Sequence, residues 1–106
     1  MDISKADWKL FREKIGGWQE SYMERLNREY VDILSEDKAA SEKFWELDER
    51  IRADQRSPGV MLELRKANMF WDLLTLIKDG AINAEDLTDF SPELQSEINT
   101  FLREHK

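Results

Sequence analysis

From Trp8 to Leu34 the apolar residues recur at intervals of three and four: Trp8, Phe11, Ile15, Trp18, Tyr22, Leu26, Tyr30, Ile33 and Leu34. That spacing follows the turn of an α-helix and not the two-residue alternation of a strand. It predicts one long amphipathic helix over roughly 4–34, opened by the capping pair Ser4 and Asp7. The rest of the 106-residue chain must fold against that rod. Four Gly and two Pro are too few to punctuate a turn-rich β fold. The fold class is therefore all-α.

Gly16-Gly17 falls inside the stripe, and each Gly costs about 1 kcal/mol relative to Ala in a helix interior. The pair marks a kink, a close approach by a neighbour or a tolerated weak point. A second helix over roughly 38–56 carries Phe44, Leu47 and Ile51 on one side with Trp45 beside them. Ser57-Pro58-Gly59 ends it. Pro58 suits the first turn of a following helix and Ser57 its N-cap.

A third helix over roughly 58–79 carries Val60, Met61, Leu62, Leu64, Ala67, Met69, Phe70, Trp71, Leu73, Leu74, Leu76 and Ile77. Apolar nearly all round, it reads as buried on more than one side. Gly80 supplies a left-handed cap. Asn83 and Asp86 cap a short helical turn containing Leu87. Ser91-Pro92 opens a last helix with Leu94, Ile98, Phe101 and Leu102 inward. The expectation is a small helical bundle of three main helices, a short turn of helix and a C-terminal helix, a single domain over 1–106.

The chain has no cysteine, and its one histidine is His105. A thiol nucleophile, a zinc–thiolate site and a disulfide framework are excluded. The formal charge is −7. Residues 81–106 hold 6 acids against 2 bases, a net of −4. Such a chain repels nucleic acid and anionic membrane. The apolar run Met69-Phe70-Trp71 is far short of the ~18 residues that span a bilayer. Met1-Asp2-Ile3-Ser4-Lys5 holds no apolar signal core. A cytoplasmic location is expected.

Several constellations carry candidate chemistry. Gly80 and Ile82 fit the middle of a calcium loop, but Thr75 and Ile77 then stand where oxygen-rich ligands belong. Glu46 and Glu49 share a helical face, as carboxylates that hold magnesium do. They match the first of the two carboxylate pairs used by all-α nucleoside-triphosphate pyrophosphatases; of the second pair Glu63 is present, with Lys66 standing where an Asp belongs. No metal or cofactor is assigned on the favoured reading.

Arg52, Arg56, Arg65 and Lys66 cluster about the turn at Ser57 and Gly59, where an expected helix N-terminus offers free amides for an anion. Trp45 lies off the main stripe of its helix and reads as an interface anchor. Leu62, Met69, Leu73 and Leu76 form a second apolar face on helix three, open to a two-fold partner.

The segments Asp7-Trp8-Lys9-Leu10-Phe11-Arg12-Glu13, Ser41-Glu42-Lys43-Phe44-Trp45-Glu46-Leu47 and Leu76-Ile77-Lys78-Asp79-Gly80-Ala81-Ile82 resemble a family of short bacterial all-helical proteins of uncharacterised function. The resemblance implies a helical bundle from a bacterial cytoplasm and no activity. The residues favour a non-enzymatic interaction or regulatory protein, acting as a homodimer and engaging a protein partner. The alternative is a divergent magnesium-dependent nucleotide hydrolase using Glu46, Glu49 and Glu63.

Overall fold

Ser4 starts the first helix as its sequence position suggests: its backbone is extended and its hydroxyl oxygen accepts the Asp7 N–H at 3.0 Å. In the computed structural model, which describes residues 2–105, helix α1 then runs from Lys5 to Leu34 without a break. At 1.5 Å per residue its 30 residues span about 45 Å. Gly16 and Gly17 are exposed, and a Cβ at either would meet nothing within 4 Å. Neither a close approach nor an interruption is found there; the pair is a tolerated weak point.

A turn through Ser35 and Lys38 leads to α2, Ala40–Asp54, which lies against the outer half of α1. The chain then turns, and α3 covers Met69–Lys78, entered through a 3₁₀ turn at Lys66–Asn68. A second 3₁₀ turn, Ala84–Leu87, precedes α4, Pro92–Glu104. No strand occurs among the described residues, so the all-α class holds. None of these helices is long and apolar enough to cross a membrane.

The later capping signals act as their residue types dictate. The Asn83 side chain accepts the Asp86 N–H while the Asp86 carboxylate accepts the Asn83 N–H, a reciprocal capping box. Ser91 caps α4 with Pro92 just inside. Gly80 is left-handed at φ 78°. Its N–H and that of Ala81 reach back to the Ile77 and Leu76 carbonyls at 3.0 and 2.9 Å, closing a Schellman motif.

Helix three departs from expectation. Residues 58–60 form a turn and 61–65 a strap with neither helix nor strand, extended at Arg65; the α-helix begins only at Met69. The cause is how tightly the turn is pinned to α1. Gln19 donates to the Pro58 carbonyl at 3.0 Å. Gly59 sits so close to Tyr22 that a Cβ would lie 2.5 Å from its ring. The Ser57 hydroxyl accepts the Gly59 N–H and donates to the Asp79 carboxylate. The chain thus leaves this point and α3 returns to it. A continuous helix over 58–79 would hold its ends about 33 Å apart. The Ser57–Asp79 hydrogen bond brings those ends together, so the segment cannot be one helix.

The core gathers at one end. Phe11 and Ile15 of α1 pack with Met69, Leu73, Leu74 and Leu76 of α3, Ile82, Leu87 and Phe90 of the connection, and Leu94 and Ile98 of α4. Leu62 of the strap is half-buried against them. By contrast α2 buries no residue at all. The molecule is accordingly long, 51 × 27 × 20 Å, with a radius of gyration of 16.3 Å. A compact domain of this length would have about 13 Å.

Candidate interaction site

The basic turn has no helix N-terminus behind it, because the following residues are not helical. Its buried donors, Ser57 and Gly59, already have an acceptor of the chain's own. The Gly59 amide ends on Ser57 Oγ at 3.1 Å, and Ser57 Oγ ends on Asp79 Oδ2 at 2.8 Å. Both Ser57 and Gly59 are buried. Arg52 pairs with Asp48 at 3.0 Å and Arg65 with Glu63 at 2.7 Å. Arg56 and Lys66 are exposed and enter no ion pair among the described residues. The expectation of a free amide here is therefore corrected: the Gly59 N–H is taken by Ser57, and Asp79 supplies the negative charge beside it.

The candidate magnesium carboxylates do not converge either. Glu63 lies on the strap and not on a facing helix, and Arg65 holds it. Glu46 is held by Lys38 at 3.3 Å. Among the described residues no group of three or more acidic or histidine side chains could hold a metal ion.

The expected apolar face of helix three is corrected as well. Met69, Leu73 and Leu76 are 0% exposed, enclosed by α1, α4 and the connection between α3 and α4. Nothing of them reaches a partner. Trp45, by contrast, is 62% exposed, as its place off the stripe suggested. Phe44, expected inward, is also 61% exposed and meets Trp45 edge to face at 4.9 Å.

What holds α2 to α1 is polar as much as apolar. Arg50 donates to Glu29 at 2.7 Å and pairs with Asp54 at 3.0 Å. The Tyr30 hydroxyl donates to Asp54 at 2.6 Å, and the Arg50 guanidinium lies over the Tyr30 ring. Burial, and then the Asp54 carboxylate, push the Tyr30 hydroxyl well above the usual tyrosine range. The hydrogen bond to Glu29, ahead of those to Asp54, raises Arg50.

The opposite, outer face of α2 is free. Trp45, Glu49 and Arg52 of α2 and Arg56, two residues past its end, follow one another at intervals of four, three and four, and with Asp48 and Ala53 they line one shallow hollow of about 540 Å³. All four are exposed. The sequence pointed to these residues separately, Trp45 as an interface anchor, Glu49 as a magnesium carboxylate and Arg52 with Arg56 as anion donors, and not as one face. Comparison of the chain with protein-family models, with curated proteins and with solved structures finds no match.

Proposed function

We propose that this is a small non-enzymatic interaction protein of the cytoplasm that works as a homodimer paired through the outer face of α2. The observation that carries the reading is the order of charges on that face. Read forwards it is aromatic, acidic, basic, basic, and its spacing is the same in both directions. In an antiparallel pair with its two-fold axis midway between Arg50 and Ile51, Glu49 meets the partner's Arg52. Trp45 meets the partner's Arg56. Each contact occurs twice, which makes two ion pairs and two cations stacked on indoles. Every layer is complementary to itself, which an unrelated partner would not require.

A 15-residue helix is only about 22 Å long. The shared surface is therefore at the small end for a specific interface, and a dimer of micromolar strength is the matching expectation. Sedimentation equilibrium at tens to hundreds of micromolar tests it. A mass approaching twice 12.6 kDa supports the dimer, and a constant monomer mass refutes it. Glu49→Arg alone and Arg52→Glu alone should each abolish pairing, and the double exchange should restore it.

A further inference from the structure

At the end of the molecule that holds the core, a hollow of about 220 Å³ opens between the first turn of α3 and the second half of α4. Its wall is aromatic. Phe70, Trp71 and Phe101 pack edge to face in all three pairings, with ring centroids 5.4, 5.4 and 6.2 Å apart and planes 80–88° to one another. Trp71 nevertheless stays 57% exposed. The face of an indole carries the negative lobe of its quadrupole and attracts a cation placed over it.

Glu97 and Glu104 line the same hollow. Both are exposed and neither enters an ion pair among the described residues. Arg103, the base beside Glu104 in sequence, lines a different hollow on α4 with Pro92 and Asn99. The two glutamates stand seven residues apart, two helical turns or about 10.5 Å along α4. Rings and free carboxylates thus give one surface suited to positive charge.

We propose that this hollow receives a basic segment of a partner protein, with one cation on Trp71 and Glu97 and a second near Glu104. The spacing selects the occupant. A small organic cation reaches only one of two carboxylates about 10.5 Å apart. A peptide in the polyproline II conformation, three residues per turn and 3.1 Å per residue, places side chains three positions apart on one side and about 9 Å from each other. A nucleic acid or an anionic bilayer carries the wrong sign for this face.

The test is an NMR titration with a short peptide bearing lysines three positions apart. The same peptide with one lysine replaced by alanine, and tetramethylammonium, serve as comparisons. Saturable shifts at the Trp71 indole and the Thr100 amide are expected, with about tenfold weaker binding for the single-lysine peptide. Trp71→Leu should weaken binding about tenfold. The double variant Glu97→Gln, Glu104→Gln should weaken it several-fold and flatten its salt dependence.

Three results would overturn the assignment: no saturation, shifts spread evenly over acidic residues elsewhere, or tetramethylammonium binding as tightly as the peptide. Loss of the dimer in Trp71→Leu would also overturn it, since the occupant would then be a second copy. Because Trp71 is exposed and the glutamate pair is independent of it, a folding failure in one variant leaves the other decisive.

Discussion

The carboxylate of Asp7 accepts both the backbone N–H and the hydroxyl of Ser91, at 2.9 and 2.6 Å, across 84 positions of sequence. The same Ser91 hydroxyl oxygen accepts the Leu94 N–H at 3.3 Å. One buried side chain near the start of α1 thereby fixes the start of α4. The acid that seemed to complete its own helix's capping box serves another helix.

Asp7→Ala should therefore cost about 2–3 kcal/mol, the scale for losing charged hydrogen bonds and leaving buried donors unpaired. For a domain of this size that is on the order of 10 °C in melting temperature. Asp7→Asn keeps one acceptor oxygen and should lose about half as much. Calorimetry of both variants checks the ranking; equal melting temperatures would remove Asp7 from this role.

The glycines divide into two kinds. Gly59→Ala drives a methyl into the Tyr22 ring, and overpacking of this sort costs about 1–3 kcal/mol. Gly16→Ala and Gly17→Ala meet open space inside a helix and should each stabilise by about 0.5–1 kcal/mol. Urea midpoints for the three variants should move in opposite directions.

Tyr30→Phe removes the hydroxyl held by Asp54 and should cost about 1 kcal/mol. It should also change behaviour in alkali. The folded chain holds the Tyr30 proton more tightly than the unfolded chain does. That contribution is present in full below pH 10.0, the ordinary tyrosine value, and is lost as pH rises above it. Unfolding curves taken across that range should fall more steeply for the parent chain than for Tyr30→Phe.

Asp72 Oδ2 is buried without a hydrogen-bond partner, and desolvation raises its carboxyl above the usual aspartate range. The folded chain favours the protonated form, so the charged form opposes folding at neutral pH. Asp72→Asn should stabilise at pH 7, and the gain should shrink as pH falls into the ordinary aspartate range. A gain that does not vary with pH would refute the charge as its cause.

The periodicity of Trp8 to Leu34 was enough to read α1, because one buried stripe on a long helix overrides two poor helix formers. Short-range signals were equally legible. Asn83 with Asp86, Ser91 with Pro92, and Gly80 each satisfy backbone groups within a few residues. The strap at 61–65 was not legible. Val60, Met61, Leu62 and Leu64 fit a helical face, and what unwinds them is the Ser57–Asp79 hydrogen bond, which a continuous helix could not close. The surface sites failed for the same reason. Whether Met69 faces a partner, or Gly59 an anion, depends on residues far off in sequence: Phe11 and Ile98 in the first case, Asp79 in the second. Trp45 is exposed as its place off the stripe suggested, but Phe44 on the stripe is just as exposed, because α2 has too little packed against it to bury either.

A core placed at one end makes this molecule a lever. α1 is shared, its inner half clamped by α3 and α4 and its outer half held by α2 and the turn at 58–60. The hairpin end buries Tyr22, Leu26 and Ile33 of α1 but no residue of α2, so opening it uncovers less apolar surface than opening the clamp and leaves the clamp intact. Amide protons of α2 should then exchange with solvent through partial opening, well before those of Leu73 or Ile98, which wait for global unfolding. Whatever binds the hairpin can reshape or order it without disturbing the end that keeps the chain folded.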